Sequence, residues 1–229
     1  RREKIREAMA ALEAEAKAEA EAQEADAAEK RAAAEAAGQK PRDQERRKPK
    51  VEPGTPPDKA QRNFTDPESR IMKSRDGFIQ GYNAQAAVDA KAQVIVAHGL
   101  TDCGPDCGHL VGMVDAIKAN TGANPEQISA DNGYCSEANL QAMEDRGIEA
   151  FIATGRQKHG EPAADGGKAR TPKTEEMRQR LRDGGFDSPY RLRKQTVEPV
   201  FGQIKHARGF RQFLLRGLKR VAAEWALLC

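Results

Sequence analysis

Between Gly77 and Ala153 the apolar residues change period several times, and the order of those periods limits the fold more than any other feature. Phe78, Tyr82, Ala84, Ala86 and Val88 follow a two-residue alternation, which predicts a strand over 77–89. Ala92 to Leu100, with Val94-Ile95-Val96 at its centre, predicts the hairpin partner. Leu110, Val111, Val114 and Ile117 have helical spacing within 106–120. Gln127 to Ala130 is a short strand aimed at Asp131. Ser136 suits the start of a helix that Gly147 stops, and Phe151-Ile152 mark a further strand over 149–153. Strand, strand, helix, strand, helix, strand is the order of an α/β domain.

The flanks differ in kind. Residues 1–38 are dominated by Ala, Glu, Lys and Arg, which predicts one long helix ending at Gly38. Its large apolar residues are few (Ile5, Met9 and Leu12), so a coiled coil is not expected and a solvated helical spacer is. Residues 39–62 place Pro41, Pro49, Pro53, Pro56 and Pro57 among charges, which predicts a mobile linker and the domain boundary. The globular part is expected over 63–229, with a polar loop over 155–173 and a last helix over 218–229 presenting Val221, Trp225 and Leu228. Trp225 stands at a core position of that helix rather than as a base-stacking residue.

Net charge is +3 over 229 residues, but it is unevenly spread. Residues 63–155 hold 6 basic and 13 acidic groups, whereas 156–220 hold 17 and 7. An acidic block followed by a basic one fits carboxylate chemistry beside a nucleic-acid surface, and a generic solvated basic surface is the alternative. No apolar run reaches membrane-spanning length, and no signal peptide is recognised. Cys103, Cys107, Cys135 and Cys229 are too scattered for a disulfide framework, so a reducing, cytoplasmic setting is expected. Cys103, Cys107 and His109, with Cys135, form only a partial zinc pattern; ordinary small thiols are the simpler reading.

The stretch Thr196 to Lys205 (TVEPVFGQIK) reads as a helix opening. Thr196 is a suitable N-cap, and Pro199 then falls in the first turn, where its missing N–H costs little. Glu198 and Lys205 lie seven residues apart, on one face of a regular helix. On spacing alone this is equally a solvated ion pair. Asp131, within Asp131-Asn132-Gly133, is likewise either a functional carboxylate at a strand end or a turn former.

Together these segments resemble the DDE transposases of bacterial insertion sequences. VEPVFGQIK, followed by Arg208-Gly209-Phe210 and Leu215-Arg216-Gly217, is similar to that family's C-terminal signature. ISADNGYCSE is similar to its second acidic motif, and GYNAQAAVD to an early core strand, so the resemblance covers roughly 63–229. It implies a ribonuclease-H-like mixed sheet flanked by helices. It also implies Asp131 and Glu198 as catalytic metal ligands for Mg²⁺ or Mn²⁺, and Lys205 as a phosphate contact. Arg191, Arg193, Lys194, Lys205, Arg208, Arg211 and Arg216 would then meet double-stranded DNA, transposon ends and target alike, with self-association of the protein and no membrane partner. The implied activity is metal-dependent cleavage of transposon ends and strand transfer to target DNA.

The sequence departs from the family in three respects. Lys194 stands where the family has Arg four residues before its Glu, and Tyr190 is one residue off the family spacing. The family's first catalytic Asp has no counterpart here; Asp66, Asp76 and Asp89 do not match it. The expectation is therefore a truncated, inactive fragment whose first strand lies upstream. The alternative is a non-catalytic DNA-binding or dimerising remnant.

Overall fold

A computed structural model describes residues 2–36, 52–58, 60–74, 77–155 and 171–229. They form two compact units, Arg1–Pro67 and Glu68–Cys229.

The first unit is built on helix α1, Arg2–Ala36. Ala is the strongest helix former, which explains a helix of 35 residues with so few large apolar side chains. The expected end at Gly38 lies outside the described residues, as do residues 39–51 of the expected linker. Part of the described remainder of that linker lies against α1. Arg62 pairs with Glu15 of α1, and a side chain at Gly54 would lie only 3.8 Å from the Lys17 Cα. Alanine accounts for this: Ala8, Ala11, Ala16 and Ala20 are half-buried on one face, low enough for a chain to lie close.

The second unit is α/β. The strand expected over 77–89 is two strands, split at Tyr82. Strand β2 (Gly77–Gly81) turns back to pair antiparallel with β1 (Arg70–Ser74), which sequence reasoning missed. Strand β3 (Asn83–Val88) pairs antiparallel with β4 (Ile95–Thr101), in register Asn83 with Thr101 and Gln85 with Gly99. Helix α2 (Leu110–Thr121) ends at Gly122, whose φ of 86° suits a left-handed cap. Strand β5 (Gln127–Ala130) runs parallel to β6 (Glu149–Ile152), and helix α3 (Glu137–Asp145) joins them, capped by the Ser136 hydroxyl. The crossover helix is what a parallel pair requires. Among the described residues the strands form three two-stranded ladders rather than one mixed sheet.

Helix α4 (Pro172–Gly184) covers the outer edge of β6. Its Met177 Sδ accepts from the Ile152 N–H at 3.5 Å, and Arg180 donates to the Ala150 carbonyl at 3.4 Å. An edge so satisfied is not open to a further strand. Val114, Met143 and Ile152 are fully buried in the core between α2, α3, α4 and β6. Helices α5 (Arg193–Gly202) and α6 (Leu218–Leu228) complete the unit. Val221 and Trp225 of α6 are buried, as their spacing predicts.

Candidate functional site

Asp131 follows directly on β5 and opens a 3₁₀ turn, Asn132–Tyr134. Its Oδ1 accepts from the Gly133 N–H at 2.9 Å. Asp131 thus stands at a strand end and also forms the turn. A side chain at Gly133 would come within 2.6 Å of Asp106 Oδ2 and 3.1 Å of Asp131 Oδ1, so these two carboxylates flank it and one of them would have to shift to admit a larger residue.

Asp106 was not legible as a site residue. It opens the 3₁₀ turn Asp106–Gly108 ahead of α2, and its Oδ1 accepts from Asn83 Nδ2 at 2.6 Å and Gln85 Nε2 at 2.8 Å. The Gln85 amide oxygen in turn accepts from the Tyr134 hydroxyl. Gln85 is only 4% exposed, so on β3 the most buried position is an amide and not one of the neighbouring alanines. The overlooked signal is the second face of the same alternation, where Asn83 and Gln85 stand two residues apart. Burial, with the Asp106 and Asp131 charges adding to it, pushes the Tyr134 hydroxyl well above the usual tyrosine range. Tyr134 is thus a neutral donor at any working pH and not a base.

The helix carrying Glu198 starts earlier than expected. Ser188 caps a 3₁₀ turn, Pro189–Leu192, by accepting from the Tyr190 N–H, and α5 continues from it. Thr196 is therefore not the N-cap. It lies inside α5 and bonds back to the Leu192 carbonyl at 3.1 Å, a use of a mid-helix threonine hydroxyl that competes with no cap. Pro199 consequently sits in the helix interior rather than in its first turn. After Gly202 the chain widens into a π-helical turn, Gln203–Ala207, closed by the Arg208 N–H on the Gln203 carbonyl at 2.9 Å. The wider turn breaks the regular count from Glu198 to Lys205, so the two are not simply two α-turns apart. Turns of this type often mark functional sites.

Glu198 is exposed on α5. Lys205 is exposed too, with its ammonium 5.6 Å from the centre of the Phe201 ring. Arg211 joins Lys205 and His206: it donates to the Lys205 carbonyl at 3.3 Å and lies 3.2 Å from His206 Nδ1. Arg208 instead donates to the Leu228 carbonyl at 2.8 Å, which satisfies the C-terminal end of α6. Arg193 is half-buried with its guanidinium 5.5 Å from the Tyr190 ring centre, while Arg191, Lys194 and Arg216 are exposed. The structure thus brings Arg211 beside Lys205 and His206 of the π turn and gives Arg208 a structural task.

Carboxylate oxygens suit a hard divalent cation. The carboxylates of Asp106 and Asp131 converge, but Asp106 Oδ1 is held by two amides and Asp131 Oδ1 by a backbone N–H. Among the described residues no three His, Cys, Asp or Glu side chains are grouped to hold a metal ion, so the residues described do not by themselves complete such a site, for magnesium or for zinc. The partial zinc pattern separates by environment: Cys103 and Cys107 are exposed and Cys135 is half-buried. Burial, with the Glu137 charge adding to it, raises the Cys135 thiol above its usual range. At pH 8, iodoacetamide should therefore modify Cys103 and Cys107 well before Cys135, because the thiolate is the nucleophile. Equal rates by mass spectrometry would contradict the buried placement of Cys135.

Residues 166–229 match the family model described as Transposase DDE domain. The match takes in α4, α5, the π turn and α6, and with them Glu198 and Lys205. No curated protein and no solved structure matches the chain. No helix among the described residues is long and apolar enough to cross a membrane.

Proposed function

We propose, from the match of residues 166–229 to the transposase DDE domain, that this chain works in DNA transposition and meets duplex DNA through the surface around α5 and the π turn. The observation that carries the reading is the exposure of Glu198, Lys205, His206 and Arg211, all within the matched segment, with Arg211 beside Lys205 and His206. In this reading Lys205 and Arg211 neutralise backbone phosphates, and Lys194 and Arg216 extend the contact. Asp131 and Glu198 are the acidic groups of the reaction, the hydrolysis of a phosphodiester at transposon ends and the joining of the freed 3′ hydroxyl to target DNA. Asp131 and Glu198 would supply two of the oxygen ligands that magnesium or manganese needs for that chemistry. The ribonuclease-H-like arrangement and the self-association of protomers on paired DNA ends belong to the same proposal.

Duplex binding followed by fluorescence anisotropy tests it. The logarithm of affinity should fall linearly with the logarithm of salt concentration, and Lys205→Ala should both weaken binding and lower the slope by about one. Glu198→Gln should not weaken binding, because it removes no cation. Affinity that is indifferent to salt between about 50 and 200 mM, or to Lys205→Ala, would overturn the DNA-facing assignment.

A further inference from the structure

Pro199 has no backbone N–H, so the carbonyl of Gln195, four residues earlier, lacks its regular α-helical donor. That carbonyl is nevertheless satisfied. It accepts from Gln93 Nε2 at 2.9 Å, across 102 residues of sequence. Gln93 lies at the tip between β3 and β4, and its φ of 55° is positive, a conformation that favours glycine. The tip is shaped to hold it there. Asp89 Oδ2 accepts from the Lys91 and Ala92 N–H groups at 3.1 and 2.6 Å, and the Asp89 carbonyl accepts from the Gln93 N–H at 2.9 Å. Glycine would suit this backbone better, and it would bring no amide. An unfavourable conformation kept in place by its surroundings points to a use for the side chain.

We propose that Gln93 is a positioning residue for α5, filling the hydrogen-bond vacancy that Pro199 opens and so fixing the turn that carries Glu198 against the β3–β4 hairpin. The need for it follows from packing. No residue of α5 is fully buried, and its stacking contact with the core runs through the half-buried Phe201, so packing alone holds this helix less firmly than a buried face would. The proline also removes one of its internal bonds. A neutral amide is the fitting plug: its N–H₂ donates to the carbonyl, whereas a glutamate would set an acceptor against an acceptor. The effect on DNA rests on the functional reading above, but the tether itself does not.

Hydrogen exchange on the full chain, read by mass spectrometry over 193–202, tests the tether. Gln93→Gly relieves the positive φ and removes the amide, so the hairpin should stay protected while exchange in α5 rises about tenfold. Gln93→Glu should also free α5. Pro199→Ala supplies a new N–H for the Gln195 carbonyl, and in that background Gln93→Gly should change α5 exchange less than twofold. Unchanged α5 exchange in both Gln93 variants, or an equal rise with and without Pro199→Ala, would overturn the tether. Duplex affinity separates the two readings. If Lys205→Ala loses affinity and Gln93→Gly, with α5 loosened, does not, the positioning role is wrong. If neither variant loses affinity, the DNA reading fails and the tether stands.

Discussion

Replacing Trp225 with alanine should destabilise the second unit by about 3–5 kcal/mol, enough to consume a large share of an ordinary domain's stability. Trp225 is 3% exposed. Its ring stacks on Phe201 of α5, with centroids 6.2 Å apart, and meets the edge of Phe213 at 6.3 Å. Its Nε1 donates to the Gln85 carbonyl of β3 at 3.0 Å, a bond inside the buried region. One side chain therefore joins α6, α5 and β3. Trp225→Phe keeps most of the apolar contact but leaves the Gln85 carbonyl without this donor, so a loss of about 1–2 kcal/mol is expected. Urea denaturation followed by circular dichroism measures both. A loss under about 1 kcal/mol for the alanine variant would mean that Trp225 is not packed as described.

Local chemistry is what the sequence carried best. Val221 and Trp225 fell on the buried face of α6 because a 3.6-residue period leaves them no other place. Asp131 was legible as the residue after a short strand, because Gln127 to Ala130 has little room for any other reading. What escaped was non-local. The strand expected over 77–89 breaks at Tyr82 because β1 competes for its first half, and nothing within 77–89 announces that partner. Thr196 was a plausible cap, yet Ser188 and Pro189 had already started the helix, so a strong local signal lost to an earlier one. The π turn after Gly202 is set by five-residue hydrogen bonding that no residue pattern marks. Asp106 stood in plain view as an acidic residue near a helix start. Its meaning comes from Asn83, Gln85 and Gly133, which the fold brings from distant segments.

That amide network makes the second large prediction. Gln85→Glu preserves shape and still accepts from the Tyr134 hydroxyl, but it sets a second carboxylate where the amide nitrogen now lies 2.8 Å from Asp106 Oδ1. Two carboxylates at such range cannot both ionise cheaply, so the new glutamate has a folded-state pKa raised above its unfolded value of about 4.3. A group with a raised folded pKa contributes fully below the unfolded pKa and loses that contribution as pH rises through the folded one. Relative to the unaltered chain, Gln85→Glu should therefore be nearly neutral at about pH 4, where one carboxyl can donate to the other. It should lose about 2–4 kcal/mol by neutral pH, with two desolvated acceptors opposed. Gln85→Leu removes the amide without adding charge. It strands the Tyr134 hydroxyl and leaves Asp106 Oδ1 with the Asn83 amide alone, and should cost about 1–3 kcal/mol with little dependence on pH over the same range. Urea midpoints for the three proteins at pH 4.5, 6 and 8 separate these outcomes. If Gln85→Glu matches the unaltered chain at pH 8, the Gln85 amide does not face Asp106.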